Sequence, residues 1–241
     1  MNLRHERPVP AGDAGVPADD TQHMPAWPSV LAVIAHPDDE SFGLGAIIDQ
    51  MTQAGATAHV VCFTHGEAST LNETGTDLHG TRCHELSRAS AELGIATVDL
   101  HEYRDGQLAA VPAAELAARV LSAIRQHDPD GLLVFDETGI TGHPDHRAAT
   151  AAALHAARTR RLPVLAWTLP AAVASRLLAE TGQPFAGQPP DRIDLRIRVR
   201  RRAQHRAALA HASQISPDAV VWRRLHLLGD HEHLRWLHAA P

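Results

Sequence analysis

The chain has 241 residues, a formal net charge of −6, 44% hydrophobic residues and two cysteines, and every basic residue besides histidine is arginine. With no lysine there is no Schiff-base amine and no phosphate-loop lysine, and the negative balance argues against a nucleic-acid partner. Cys62 and Cys83 form no C-x-x-C, which speaks against a thiolate zinc site or a disulfide framework, and no apolar run approaches the roughly 18 residues of a membrane span.

Residues 1–27 are rich in Pro, Gly, Ala and Asp and contain no apolar signal core or lipidation motif. They are expected to form a flexible or loosely packed tail, leaving 28–241 as one domain with a cytoplasmic location as the default. The run from Val30 to Ala35 reads as a fully buried parallel strand. It stops at His36-Pro37-Asp38-Asp39-Glu40, which crowds one imidazole and three carboxylates at a strand's carboxyl end, the edge where open α/β sheets bind ligands. A helix is predicted from Gly45 to Gln53, closed by Gly55, and a second strand from Ala58 to Phe63. That strand ends in Thr64-His65-Gly66-Glu67 and a polar loop. Cys62 within it is expected to be a buried thiol.

Farther along, Arg82 to Leu93 reads as an amphipathic helix and Ile95 to Leu100 as a short third strand. His101 to Gly106 is expected to be a loop. Ala113 to His127 is an alanine-rich helix stopped before Pro129, and Gly131 to Phe135 is a fourth strand. The next helix begins near Gly142-His143-Pro144-Asp145-His146 and runs to about Arg160. Pro163 to Leu169 is a fifth strand, and Asp191 to Val199 alternates as a half-exposed one. A helix follows from Arg200 to about Ala212, and residues 220–238 are mixed. Strands alternating with helices predict an α/β fold: a Rossmann-like, mainly parallel sheet with helices on both faces.

Two segments share one chemistry, HPDDE at 36–40 and HPDH at 143–146, each after an apolar strand and so on one edge of the sheet. His36, Asp39 and His146 would supply the two-His, one-carboxylate set of a catalytic zinc site with an open position for water; Fe2+ also suits such a set. Asp38 then fits a general base and His143 an electrophile or general acid, with Asp145 as the carboxylate that orients it. Glu40 reads as a supporting acid at a helix N-terminus. The arginines from Arg196 to Arg206 read as a solvated face. A nucleotide-binding Rossmann site would need G-x-G-x-x-G after the first strand, where this chain places carboxylates that repel phosphate.

AHPDDE at 35–40 and GHPDH at 142–146 resemble the LmbE-like, PIG-L type zinc N-deacetylase family. FTHGEAST at 63–70, Arg82-x-x-Glu85, AELGI at 91–95, YRDGQL at 103–108, DPDGLLVFD at 128–136 and His211-Ala212-Ser213-Gln214 extend the likeness over about residues 29–215. The resemblance implies removal of an N-acetyl group from an N-acetylglucosaminyl conjugate or related amino-sugar metabolite. Zinc would be held by His36, Asp39 and His146, with Asp38 as base and an imidazolium His143 at the oxyanion or leaving amine. Arg82 matches a substrate-contacting arginine of the family, and is otherwise a surface arginine at a helix start. Asp105 either shapes the sugar pocket or is a solvated turn aspartate. The loop Ala68-Ser69-Thr70-Leu71 departs from the acidic loop of members acting on pseudo-disaccharide thiol precursors. A metal-dependent amidase of non-acetyl amides and a non-catalytic metal-binding protein are the competing readings. Neither nucleic acid nor membrane is expected as a partner, whereas a homo-oligomer is compatible with the Trp- and His-bearing C-terminal segment.

Overall fold

Successive residues of the first apolar run point to opposite sides of one sheet: Val30, Ala32 and Ile34 join one buried cluster, and Leu31, Val33 and Ala35 the other. That two-residue period, with both faces covered, is why the run is apolar throughout rather than alternating. The computed structural model describes residues 23–71 and 77–239. Its first half contains β1 (Ser29–Ile34), α1 (Asp39–Phe42), α2 (Gly45–Gln53), β2 (Thr57–Thr64), α3 (Leu78–Leu93), β3 (Ile95–Tyr103), α4 (Ala113–His127) and β4 (Gly131–Phe135). The second half contains α5 (Pro144–Arg160), β5 (Val164–Pro170), α6 (Ala171–Thr181), β6 (Gly187–Gln188), β7 (Leu195–Arg198), α7 (Arg202–Ala210), α8 (Val220–Leu228) and β8 (His231–His238).

The strand order is β3-β2-β1-β4-β5-β8-β7, with the short β6 beside β5. The pairings among β3, β2, β1, β4 and β5 are parallel. The last two strands, β8 and β7, add antiparallel pairings at one edge. One apolar cluster lies against the helices carrying Ile47, Leu86, Leu177 and Ala207, the other against those carrying Leu116, Val120, Ile124 and Leu154. The fold is thus α/β, mainly parallel, with helices on both faces, as the alternating pattern predicts. The chain reverses direction across the sheet between β1 and β4, so the segments after both strands open at one edge, the topological switch point.

Several boundaries move. β3 continues through His101-Glu102-Tyr103, predicted as loop, because Tyr103 pairs in register with Thr64 of β2. α3 begins at Leu78, capped by the Asp77 carboxylate on Gly80 N (3.1 Å), so Arg82 lies one turn inside the helix. The strand predicted over 191–199 shrinks to β7, since Pro190–Arg192 forms a 3-10 turn that the proline cannot extend as a ladder. Neither α6 nor β8 was distinguishable in the sequence pattern. β8 buries Glu232, which accepts from Trp167 Nε1 (2.7 Å) and pairs with Arg201, an inward carboxylate that breaks the apolar period.

Within the predicted tail, Trp27 stands edge-on to Trp236 with ring centroids 6.0 Å apart, while residues 1–22 lie outside the described residues. Cys62 is buried, and burial pushes its thiol pKa well up. Arg206 meets Glu92 on the surface, as a solvated face would, but Arg201 of the same run departs from that reading and turns inward to the buried Glu232. Among the described residues no helix is long and apolar enough to cross a membrane.

Candidate metal centre and active-site cleft

The exit from β1 is short and strained. Asp38 adopts φ 116°, ψ −26°, a conformation that costs an L-residue on the order of 1–3 kcal/mol and persists only where its surroundings enforce it. Those surroundings are polar and specific. Asp38 N donates to Glu40 Oε2 (2.9 Å), and the Asp38 carbonyl accepts from Ser41 N (3.0 Å) and Phe42 N (2.7 Å). Glu40 and His211, both 0% exposed, lie 2.7 Å apart across Oε1 and Nε2. Burial disfavours a charged His211, but Glu40 outweighs it and raises its pKa. Glu40 is therefore held by discrete hydrogen bonds; α1 has four residues, too few for the helix-dipole support expected from sequence.

The second segment is a regular helix start. Pro144 opens α5 at its first turn, and the N-cap His143 accepts through Nδ1 from Asp145 N (3.2 Å). His146, in the same turn, sets its Nδ1 3.1 Å from Gly139 O. Because a carbonyl only accepts, His146 Nδ1 carries the proton and its Nε2 presents a lone pair.

Three ligand atoms converge where the segments meet. His36 Nδ1 lies 3.3 Å from His146 Nε2, and Asp39 Oδ1 lies 3.1 Å from His146 Nε2. His36 Nε2 faces Asp105 Oδ1 (2.9 Å) and Asp145 Oδ2 (3.4 Å), so that nitrogen carries a proton and Nδ1 turns toward the cluster. Asp39 Oδ2 accepts from Ala35 N (3.1 Å) and His36 N (3.0 Å), which leaves Oδ1 facing His146. Nitrogens that both lack a proton cannot face each other at this distance unless a shared proton or a cation lies between them. Ligands bound tetrahedrally at 2.0–2.1 Å stand about 3.3 Å from each other, close to the separations seen here. The donor set therefore fits a divalent metal.

The charges agree. Burial works against the imidazolium forms of His36 and His146, but Asp105, Asp145 and Asp39 outweigh it at His36 and Asp39 does so at His146, raising both pKa values. Burial also opposes ionisation of Asp39, yet His146 and His36 hold its pKa well below the ordinary carboxylate range. A cation entering this cluster displaces protons.

Asp38 projects beside the cluster and is not needed as a ligand. Burial pushes its pKa up to about 6, against the pull of the Arg82 guanidinium. Arg82 is 3% exposed, which overturns its reading as a surface residue. Its Nη2 donates to Asp38 Oδ2 (2.7 Å) and to Pro37 O, and its Nη1 to Gly66 O (2.6 Å). Gly66 has φ +63°, and a Cβ there would lie 1.9 Å from Arg82 Nη1, so both backbone and space require glycine.

Two roles predicted from sequence are corrected. Asp145 does not orient His143 through its carboxylate: those oxygens accept from Gly106 N (2.7 Å) and Leu108 N (3.1 Å) and face His36, and only the Asp145 backbone N–H reaches His143. His143 is not an imidazolium, because burial and the neighbouring His146 and His36 lower its pKa. With Nδ1 accepting, its Nε2–H is a neutral donor. Asp105 is no solvated turn residue, since its carboxylate meets His36 and accepts from Ala68 N (3.0 Å).

These groups line one cleft of about 890 Å3, within the range of small-molecule sites. One wall is apolar, with Phe135, Trp167, Phe185 and Val221; another is polar, with Ser69, Ser213 and Gln214. The late His-x-Ser-Gln element builds that polar wall. Ser213 donates through N (2.7 Å) and Oγ (2.6 Å) to Glu85, and Gln214 Oε1 accepts from Ser69 Oγ (2.7 Å). Its separation from residues 36–40 hid the support that His211 lends to Glu40; the only signal was the motif itself.

The fold and cleft define a metal-site α/β protein of the hydrolase type, and residues 31–157 match the family model PIG-L, described as GlcNAc-PI de-N-acetylase. The chain belongs to that family. It is 32% identical over 235 residues to a 1D-myo-inositol 2-acetamido-2-deoxy-alpha-D-glucopyranoside deacetylase of Mycolicibacterium vanbaalenii, covering 78% of this chain and 82% of that protein. It is 30% identical over 220 residues to a probable N-acetyl-alpha-D-glucosaminyl L-malate deacetylase 2 of Bacillus anthracis, covering 88% and 92%. Among solved structures, the N,N'-diacetylchitobiose deacetylase of Pyrococcus horikoshii shares the fold, with a TM-score of 0.67, 21% identity and coverage of 88% of this chain and 84% of that one.

Proposed function

We propose that this protein is a zinc-dependent N-deacetylase that hydrolyses the acetamide of an N-acetylglucosaminyl conjugate. The observation that carries the reading is the lone-pair convergence of His36 Nδ1, His146 Nε2 and Asp39 Oδ1, with the carboxylate of Asp38 beside it. When bound by these three residues, zinc supplies a Lewis acid that polarises an amide carbonyl and lowers the pKa of water. Asp38, with a pKa near 6, is ionised at neutral pH and still basic enough to take the proton of the attacking water. Arg82 keeps that carboxylate turned into the cleft. The neutral His143 donates its Nε2–H to the developing oxyanion. The C–N bond then breaks; the proton held by Asp38 passes to the leaving nitrogen, and acetate and a free amine result.

Arg82 and Asp105 border the cleft on the side we assign to the sugar, where each Asp105 oxygen keeps a further lone pair for a hydroxyl. The cleft volume accommodates a sugar with part of its attached group. The apolar wall of Phe135, Trp167 and Phe185 would also seat an acyl group larger than acetyl, so the amidase alternative has a specific basis. A non-catalytic metal carrier would have no use for a strained, buried Asp38 aimed by an arginine.

The test is release of acetate and free amine from a panel of N-acetylglucosaminyl conjugates, with the protein as purified, after chelation, and after zinc is restored. Release that vanishes with chelator and returns with zinc supports the proposal. Absence of acetate from every conjugate, with cleavage of longer N-acyl amides, would move the assignment to an amidase. Failure to bind zinc at all would overturn it.

A further inference from the structure

α8 carries an arginine where its pattern calls for an apolar residue. Val221, Arg224, Leu225 and Leu228 form the buried face of the helix, at i, i+3, i+4 and i+7, and Arg224 is 7% exposed. Arg82 is the one other arginine buried among the described residues, and Asp38 meets its guanidinium. Arg224 makes no ion pair with any described carboxylate. Glu232, whose charge acts on it, is taken up by Arg201 and Trp167 Nε1. Burial pulls the pKa of Arg224 down to about 10, so the charge persists at neutral pH.

We propose that Arg224 is an anion-recognition residue of the cleft, receiving a carboxylate or phosphate that the substrate carries beyond its reacting amide. A buried cation is costly unless an opposite charge and hydrogen bonds meet it. The protein supplies only part of that: Nη2 donates to Phe42 O, the guanidinium carbon lies 4.9 Å from the centroid of the Trp167 ring, and Nε is buried without a partner. Nη1 has no hydrogen-bond partner and is not sealed from solvent, and Arg224 lines the cleft, so its free donors face the space a substrate enters. The indole face beneath the guanidinium holds it flat, which presents a preformed fork to paired oxygens.

The position sets which part of a substrate it meets. A row of rings leads from the metal cluster: Phe135 lies 4.9 Å from His146 and Trp167 lies 5.2 Å from Phe135, centroid to centroid. Arg224 follows at the end of that row, so the anion lies along the apolar wall, two rings beyond the amide at the metal. Two parts of a substrate reach that far: a group attached to the sugar, or an acyl chain ending in a carboxylate. The inference rests on the deacetylase reading for the place of the reacting amide.

Matched pairs of amides decide the matter. One set is N-acetylglucosaminides whose attached group is neutral or bears a carboxylate or phosphate; the other compares N-butanoyl with N-succinyl on a neutral glycoside. In the zinc-loaded wild type, kcat/KM should favour the charged member of one set by about 10- to 100-fold, the effect of a hydrogen-bonded charge, and that set locates the anion. Arg224→Gln should bring the ratio to within about twofold of one, and Arg224→Lys, which keeps a charge but loses the fork, should lower it less. Arg224 also ties α8 to Phe42, and loss of that tie would slow both members of a pair alike. A ratio unchanged in Arg224→Gln, or in Arg224→Lys if the first variant does not fold, therefore overturns the proposal. So does a wild type indifferent to charge in both sets. Calorimetric binding of the same pairs to the chelated protein reads the preference without turnover. Tighter binding of a charged member with no hydrolysis of any amide would keep the anion site and remove the deacetylase reading.

Discussion

Residues 36–40 and 143–146 spell nearly the same word, yet they reach the cleft by opposite means. The first is a strained turn whose Asp38 sits at φ 116° and is pinned by Glu40 of the same turn, which His211 holds from far along the chain, and by the distant Arg82. The second is a regular helix start, in which a proline at the first turn and an N-capping His143 set the backbone locally. The comparison teaches that a base needs imposed geometry, whereas a metal ligand and a neutral donor can be delivered by ordinary helix geometry. Substitutions in the first segment or its supports should therefore be costly, and those affecting only the second backbone mild.

Replacing the shared ligand gives the largest effect. Asp39→Ala should abolish zinc binding by His36, Asp39 and His146 and reduce acetate release to background, as metal analysis and product assay would show. Retained activity would break the assignment. Asp38→Asn keeps the hydrogen bond from Arg82 but cannot take a proton; kcat should fall by about 10²- to 10⁴-fold with zinc still bound. A fall in zinc content instead would make Asp38 a ligand.

His143→Gln should lower kcat by on the order of 10²-fold, the typical effect of losing one oxyanion donor, with little change in zinc affinity. The pH profile sharpens the role of Arg82. Asp38 must be ionised to act, so kcat/KM should fall as pH drops below about 6, or lower once a cation stands beside the carboxylate. Arg82 lowers that pKa, so Arg82→Gln should move the acid limb to higher pH; an unmoved limb would assign the titration to another group. Pro144→Ala should be smallest, changing stability by less than about 1 kcal/mol and activity by less than about twofold, because alanine also suits a first helical turn.

Much of this was legible in the chain. β1 and β4 were plain because strands buried on both faces need continuous apolar runs, and α2 and α4 because each has one apolar stripe and a clear stop. HPDDE and HPDH marked the centre because those side chains have few reasons to crowd at the ends of two buried strands. The C-terminal part resisted reading where Glu232 faces inward in β8, an ion pair and an indole hydrogen bond replacing the apolar contact that periodicity would require. The sequence left Arg82 and Asp105 open between a place in the site and a solvated position, since burial of a charged side chain depends on partners distant in sequence: 44 positions separate Arg82 from Asp38, and 171 separate His211 from Glu40.

By itself, the sequence determined the sheet class, the strand ends that carry chemistry, and the two histidines and aspartate that meet there, because these depend on local periodicity and on residue type. Only the tertiary structure decided which nitrogen of each histidine turns inward, that Asp145 serves His36 rather than His143, and that His143 is neutral. It also buried Arg224 in the cleft wall without a carboxylate partner. Those outcomes depend on acceptors and charges supplied by distant segments, and no spacing along the chain records which of them will be nearest.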